Sequence, residues 1–166
     1  MKNYIVILLL VILAKNATAQ SAAEKEEELN HHCLFEEKSW TVGLGSSYAF
    51  HVEALGINSR VYYNLGEQLC FGPEFSFFKR EEEMVYDLNF VGHYIFETKL
   101  VGLYPLTGIN YSIEETDNST EKAAGFVIGA GMHRNFKTFT VFAEYSHVES
   151  DLPDDFITFG LMYTLK

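Results

Sequence analysis

From Trp40 to Leu165, uncharged and mostly apolar residues occupy every second position in segment after segment of the chain. The alternate positions carry arginine, glutamate, aspartate, histidine and asparagine, interspersed with glycine and serine. Alternation with a period of two residues predicts β-strands, because successive side chains of a strand point to opposite faces of the sheet. Eight such segments follow one another, so the sequence predicts an all-β chain.

One face of these strands is rich in aromatic residues and carries no charge within the eight segments. The other face is polar and glycine-rich, a combination typical of a closed sheet with lipid outside it. A strand of about 11 residues, tilted by about 40°, rises roughly 27 Å, close to the height of the apolar band of an outer membrane. We therefore predict an eight-stranded antiparallel up-and-down transmembrane β-barrel over residues 39–166.

Aromatic residues cluster near both ends of the predicted strands. Amphipathic aromatic side chains concentrate at membrane–water interfaces, so the sequence predicts two girdles that contact lipid. The girdle near the periplasm comprises Trp40, Tyr63, Tyr94 and Tyr163, with Phe71, Phe96 and Phe139. The outer girdle comprises Tyr48, Tyr86, Tyr111 and Tyr145, with Phe77 and Phe156.

The polar face is expected to fill the lumen, because eight strands enclose a space just wide enough for side chains. A turn centred on Glu67 would place Arg60 across from Glu74, and buried charges must be paired to offset their desolvation. We expect a structural network here, with no catalytic residue, metal or cofactor; a gated path for protons or small ions is the functional alternative. The predicted members are Arg60, Glu74, Asp87, Asn89, His93, His133 and Glu144.

The connections between the predicted strands alternate in length. Tight turns are expected near residues 65–68, 97–99 and 135–137, and longer polar loops over 79–84, 114–122 and 147–155. The longer loops would lie outside the cell, where their carboxylates could recruit divalent cations or other surface ligands.

Two prolines, Pro73 and Pro105, fall inside predicted strands. Proline has no amide hydrogen to donate to a neighbouring strand, and a closed barrel has no free edge. The sequence therefore predicts a β-bulge near each of them.

Residues 1–19 have the features of a cleaved secretory signal. A positive start is followed by 11 apolar residues over 4–14 and by Ala17-Thr18-Ala19, which fits an A-x-A cleavage site. Eleven residues are too few to span a bilayer as a helix, which needs about 20. Residues 20–38 form an acidic extension, in which His31, His32 and Cys33 are possible metal ligands and Cys33 a possible partner of Cys70.

The net charge narrows the possible partners. The chain has 12 basic and 23 acidic residues, a formal net charge of −11, and loss of the signal with Lys2 and Lys15 makes it −13. This charge argues against nucleic acid as a partner, because binding to phosphates requires a basic patch.

Four segments carry a resemblance to a known family: 86–90 (Tyr-Asp-Leu-Asn-Phe), 102–108 (Gly-Leu-Tyr-Pro-Leu-Thr-Gly), the glycine-rich 125–131, and 159–163 (Phe-Gly-Leu-Met-Tyr). With them the chain resembles the OmpA/OmpX-type outer-membrane barrels, or porin-family β-barrel domains, over residues 39–166. The resemblance implies a bacterial outer-membrane protein whose partners are membrane lipids and the barrel-assembly machinery. Many of these barrels end in an aromatic residue that the machinery reads, whereas this chain ends Leu165-Lys166.

The sequence favours a non-enzymatic barrel with a structural or surface-interaction role. One alternative is a lipid A-modifying enzyme, for which Glu144, Ser146 and His147 offer suitable atoms, although alternation sends Ser146 and His147 to opposite faces. The other is a soluble lipocalin-like barrel that binds a ligand. It would have the faces exchanged, with the following residues inside: Trp40, Phe75, Phe90 and Phe159.

Overall fold

The computed structural model describes residues 37–98, 100–136 and 138–165. They form one antiparallel sheet that closes into a barrel. The strands are β1 (Ser39–Ala49), β2 (Ala54–Asn64), β3 (Leu69–Arg80), β4 (Glu83–Tyr94), β5 (Phe96–Glu97), β6 (Gly102–Thr116), β7 (Ser119–Asn135), β8 (Thr140–Glu149) and β9 (Asp154–Leu165). The two-residue β5 continues β4 along β6, so the wall has eight strands, as predicted. Within the described ranges, no helix is long and apolar enough to cross a membrane.

Each strand of the wall pairs with its neighbours in sequence, and β1 pairs with β9 to close the ring. The up-and-down topology is therefore confirmed. A line of paired residues followed once around the wall returns to β1 ten positions further along, a stagger that tilts the strands by about 35–45°. That line runs through Ser39, Asn64, Cys70, His93, Leu106, Gly129, Ser146, Phe156 and Ala49.

We call the end of the barrel that holds Ser39 and Leu165 the terminal end, and the opposite end the loop end. The predicted long loops at the loop end are wrong. β6 continues to Thr116 and β7 starts at Ser119, which leaves only two residues between them where nine were expected. The tip of this hairpin extends past β8, whose pairing with β7 starts only at Phe126. Both faces of the tip carry polar side chains, so it lacks the alternation of apolar and polar residues that identifies the other strands in the sequence.

Pro73 does not produce the predicted bulge. On one side of it Arg60 lies opposite Glu74, and on the other Tyr63 lies opposite Phe71, in the same register. The two intervening pairs are absent from the ladder between β2 and β3. Loss of the proline amide therefore interrupts the hydrogen bonding locally, while the register is kept.

Pro105 acts in the same way, and its predicted bulge is also wrong. The pairing of β6 with β4 stops at Leu106 and resumes, as the pairing with β5, at Leu103 without a change of register. The interruption separates β5 from β4 at Ile95. The Ile95 amide instead donates to the carbonyl of Gln68 at 2.7 Å, so it remains hydrogen bonded.

As predicted, the outer face of the wall carries large exposed apolar side chains and the inner face carries the buried polar ones. Leu44, Ile57 and Phe126 point outward and are 66%, 65% and 67% exposed. Arg60 and Tyr62, on the inner face of β2, are 2% and 1% exposed. The lipocalin-like alternative needs the reverse arrangement, and it is wrong because the aromatic residues assigned to its cavity lie outside. Their exposed fractions are 51% for Trp40, 43% for Phe75, 49% for Phe90 and 59% for Phe159.

The predicted signal and the metal-ligand candidates His31, His32 and Cys33 lie outside the described residues. The first strand begins at Ser39. Cys70 is buried on the inner face of β3.

Candidate functional site

Arg60 is the centre of the polar lumen. Its Nη1 and Nη2 donate to the two carboxylate oxygens of Glu144, on the opposite side of the barrel, at 3.1 and 3.3 Å. Its Nη1 also lies 3.5 Å from Glu74, the neighbour predicted from the hairpin. Nε donates to Asn58 at 2.9 Å, and the Phe142 ring lies 4.0 Å from the guanidinium carbon. A bidentate pair with a cation–π contact compensates well for the desolvation of the charges.

Two tyrosines complete the coordination of the carboxylates. Tyr62 donates its hydroxyl hydrogen to Glu74, and Tyr104 donates to Glu144 at 3.0 Å. Both tyrosines are fully buried, at 1% and 3% exposure. Neither tyrosine is among the predicted members of the network, because tyrosine is expected on the outer face. The alternation itself places both inside, since Tyr62 is flanked by the outward Val61 and Tyr63.

His93 lies between these two tyrosines. Its ring centroid is 4.7 Å from that of Tyr62 and 4.9 Å from that of Tyr104. Its Nε2 is 4.0 Å from a Glu74 oxygen, too far for a hydrogen bond. This nitrogen is buried and has no hydrogen-bond partner within the described part of the chain.

His133 lies on the terminal side of Tyr104, with their ring centroids 5.8 Å apart. Its Nε2 is 3.2 Å from an oxygen of Glu97, which is 40% exposed at the rim of the barrel. Tyr104 thus separates the two lumen histidines, and they do not face each other as a metal pair would.

Asp87 and Asn89 extend the network towards the loop end. Asp87 accepts hydrogen bonds from Ser112 at 2.5 Å and from Asn110 at 3.1 Å. Asn110 also donates to Asn89 at 2.8 Å, and Asn89 lies directly opposite Glu74 on the neighbouring strand. The structure therefore joins Asp87 to the Arg60 cluster through amide side chains, and Asp87 has no ion pair with a cation in the described ranges.

The loop end of the lumen is apolar, which the sequence analysis missed. We call this group of inward-facing residues the apolar plug; each is at most 5% exposed. Its members are Ala49, Val52, Ala54, Phe78, Val85, Val127, Val148 and Phe156. Phe156 stacks on Phe78 with 5.5 Å between the ring centroids, so its predicted position in the outer girdle is wrong. The period-two pattern places Phe156 next to the outward Ile157, and therefore inside.

The terminal end of the lumen is polar. Thr41 and Thr164, on the first and last strands, are hydrogen bonded through their hydroxyls at 2.9 Å. Asn64 donates to both Ser39 and Thr41 at 2.9 Å. Behind this polar rim the inner face also carries buried apolar side chains, among them Cys70, Phe142 and Met162, before the ionised cluster is reached.

Glycines make room for the large inward side chains. A Cβ atom at Gly131 would meet the Tyr104 ring, and one at Gly102 would meet the His133 imidazole. A Cβ atom at Gly43 would lie 2.7 Å from the Cγ of Arg60. The small residues on the inner face are therefore complementary to the bulky ones on adjacent strands.

The predicted girdle residues lie on the outer face near the strand ends. At the terminal end Trp40 contacts Tyr63, with ring centroids 5.1 Å apart. At the loop end Tyr86 contacts Phe77 at the same centroid separation. The remaining predicted members are exposed or half-buried: Tyr48, Phe71, Tyr94, Phe96, Tyr111, Phe139, Tyr145 and Tyr163. Their arrangement is that of two aromatic bands around the wall.

The side chains considered for enzymatic chemistry do not converge. Ser146 is buried at 8% exposure inside the barrel, whereas His147 points outward. His147 Nδ1 is 2.9 Å from Asp155 and its Nε2 is 3.3 Å from Glu149. Asp155 also accepts a hydrogen bond from Tyr145 at 2.6 Å. Both ring nitrogens of His147 are thus directed at carboxylates, and the serine hydroxyl is on the other face of the strand.

No protein-family model matches this sequence, and no curated protein matches it. Several solved structures are similar to it in fold. The N-terminal β-barrel domain of Pseudomonas aeruginosa OprF aligns over 78% of this chain and 98% of its own, with a TM-score of 0.68 and 14% identity. Yersinia pestis Ail, the attachment invasion locus protein, aligns over 76% of this chain and 97% of its own, with a TM-score of 0.56 and 17% identity. The chain has the fold of the small outer-membrane barrels.

The same fold includes an enzyme. The outer membrane enzyme PagL aligns over 76% of this chain and 99% of its own, with a TM-score of 0.50 and 11% identity. Identities this low establish the architecture only. The activity has to be argued from the side chains of this chain.

Proposed function

We propose that this protein is a non-enzymatic β-barrel of the bacterial outer membrane, exported by a cleaved signal peptide, with a structural or surface-interaction role. The observation that carries the proposal is the outer face of the wall, where large apolar side chains such as Leu44, Ile57 and Phe126 are about two-thirds exposed. Soluble monomers rarely expose contiguous apolar patches of more than a few hundred Å². A lipid environment removes that difficulty and accounts for the aromatic bands at both ends.

The filled lumen supports a structural role and argues against a pore. The Arg60 cluster occupies the middle of the barrel, and the apolar plug closes its loop end. An ion that crossed would have to pass hydrocarbon side chains without a hydrogen-bonding partner, which is costly. We infer that the barrel does not conduct, which speaks against the gated path for protons or small ions.

The loop end provides the surface for interaction. Its carboxylates outnumber its basic residues Lys79, Arg80 and Lys122 about fourfold. The acidic residues are Glu53, Glu81, Glu82, Glu83, Glu114, Glu115, Asp117, Glu121, Glu149, Asp151, Asp154 and Asp155. Such a surface attracts divalent cations and basic partners and repels polyanions. Ail has been crystallised with the heparin analogue sucrose octasulfate; for this chain we infer a preference of the opposite sign.

Fractionation of cells that express the full chain tests the proposal. We expect the protein in the outer-membrane fraction, extracted only by detergent, with a faster gel mobility before boiling than after it. Outer-membrane lipids and the barrel-assembly machinery are then its expected partners, and depletion of that machinery should reduce the folded form. Release into the soluble fraction without detergent contradicts the proposal.

A lipid A-modifying enzyme is the second candidate, because the same fold is found in an outer membrane enzyme, PagL. His147 and Asp155 at the loop-end rim are the groups such chemistry would use. Mass spectrometry of lipid A from cells with and without the protein decides between the two. We expect the same acyl composition in both. A changed composition that is lost with His147→Asn would replace our proposal with the enzyme.

A further inference from the structure

Three potential metal ligands from three strands meet in the middle of the lumen. One oxygen each of Glu74 and Glu144, and one ring nitrogen of His93, all lie within 4.8 Å of one another. The three side chains come from β3, β4 and β8 and are at most 5% exposed. Glu74 and His93 lie on the paired strands β3 and β4, and closure of the wall brings Glu144 of β8 to them.

Two features of the cluster favour a bound cation. Glu74 and Glu144 are buried carboxylates that share one guanidinium, that of Arg60; among the described residues, the other contact of this kind is that of Glu74 with His93. The Nε2 atom of His93 is buried, points at this pair of carboxylates and has no hydrogen-bond partner there. Buried polar atoms are rarely left without a partner, and each exception calls for an explanation.

We propose that Glu74, His93 and Glu144 bind a divalent transition-metal ion of the Zn²⁺ type inside the barrel. One imidazole and two carboxylates form a ligand set that such ions accept, and three protein ligands leave a position for water. Metal–ligand bonds of about 2.0–2.2 Å bring tetrahedral ligand atoms to about 3.5 Å from one another. The two glutamates therefore have to move by roughly 1 Å, which their flexible side chains permit.

The surroundings of the three ligands suit this role. Tyr62 donates to Glu74, and Tyr104 and Arg60 donate to Glu144. Hydrogen bonds of this kind orient metal-binding carboxylates. Both oxygens of Glu144 accept hydrogen bonds from Arg60, so an ion bound to one of them leaves Arg60 paired with the other. The competition with Arg60 makes the site weaker than one formed by the three ligands alone.

Metal analysis of the purified full chain, folded in detergent and equilibrated with Zn²⁺, tests the proposal. We expect one more bound ion per protein in the wild type than in His93→Asn. His133→Asn is the matched control, since it removes another buried histidine of the same lumen and should bind as much as the wild type. Any ion held by His31, His32 or Cys33 contributes equally to all three proteins. Equal binding by wild type and His93→Asn overturns the proposal.

A second measurement uses the Cys33→Ser variant, which removes the cysteine of the predicted extension and keeps every lumen residue, so it does not depend on how a lumen variant folds. X-ray absorption at the zinc edge should show nitrogen and oxygen neighbours at about 2.0–2.2 Å and no sulfur. A sulfur neighbour at about 2.3 Å would place the ion at a cysteine, and no bound zinc would leave the lumen without a metal site. Either result overturns the proposal.

Discussion

The two ends of the lumen solve the same packing problem by different means. Towards the terminal end, Arg60 and its partners fill the barrel with charged and hydrogen-bonded groups. Towards the loop end, Phe78 and Phe156 stack among aliphatic side chains and exclude water. Both regions lie inside the same wall and on the same strands. An inward position in this barrel therefore need not be polar. The side chains there have to fill the lumen, and any polar group among them needs a hydrogen-bonding or ionic partner.

The largest expected effect comes from removal of the cation in the polar region. Arg60→Met leaves Glu74 and Glu144 buried without their partner and should lower the free energy of unfolding by about 3–5 kcal/mol. Urea titration in lipid vesicles measures it. Arg80→Met is the matched control, because Arg80 pairs with the exposed Glu53 at 2.9 Å and should cost about 0–1 kcal/mol. Equal stability of the two variants would mean that the cluster does not hold the lumen together.

Phe156→Ala tests the apolar end of the lumen, and we expect a loss of stability similar to that of Arg60→Met. It opens a cavity beside Phe78 and should cost about 3–5 kcal/mol of stability. Because the plug seals the loop end, this variant should also show ion conductance in planar bilayers where the wild type shows none. Phe159→Ala, on the outer face of the same strand, should leave the lumen closed. Conductance by the wild type, or no difference between the variants, would remove the sealing role of the plug.

A methyl group inside the polar region should have a smaller effect. Gly131→Ala forces the Tyr104 ring to move, and overpacking of this kind costs about 1–3 kcal/mol. Gly66→Ala is the control, since no atom lies within 4 Å of the added methyl group in that turn. The comparison is read from the midpoints of urea unfolding; coincident midpoints would show that the lumen is not tightly packed at Gly131.

The smallest expected effect concerns Asp87, which lies between the two regions. Asp87→Asn keeps an acceptor for the Ser112 hydroxyl and removes a buried carboxylate that has no cation paired with it. The stability should change by about 1 kcal/mol or less, in contrast to Arg60→Met. A loss comparable to that of Arg60→Met would show that Asp87 belongs electrostatically to the Arg60 cluster.

The sequence predicted the wall well because strand periodicity is a local property. Alternation places Leu44 outside and Arg60 inside, and the short hairpin at Glu67 fixes the pair Arg60–Glu74. The contact between Arg60 and Glu144 could not be predicted in this way. It joins β2 to β8 across the lumen and depends on the stagger of the closed barrel, which no single hairpin determines.

Three other features of the structure are not predicted from the sequence, each for a physical reason. Phe78 and Tyr62 were missed because aromatic residues were expected outside, although alternation places them inside. The tip of the β6–β7 hairpin is predicted as a loop, because a strand with polar side chains on both faces shows no alternation of apolar and polar residues. The prolines were expected to cause bulges, but Pro73 only interrupts the ladder, since a missing amide removes a hydrogen bond without adding a residue.

The account depends most on what surrounds the outer face, and the only tryptophan of the chain measures this directly. Trp40 is 51% exposed in the terminal girdle. In vesicles that contain brominated lipids, its fluorescence should be strongly quenched. In a Trp40→Phe background, a tryptophan at the outward Phe90 should be quenched by deeper bromines, and one at the inward Phe142 should not. Fluorescence unaffected by brominated lipid at both Trp40 and position 90 would contradict the membrane-spanning barrel.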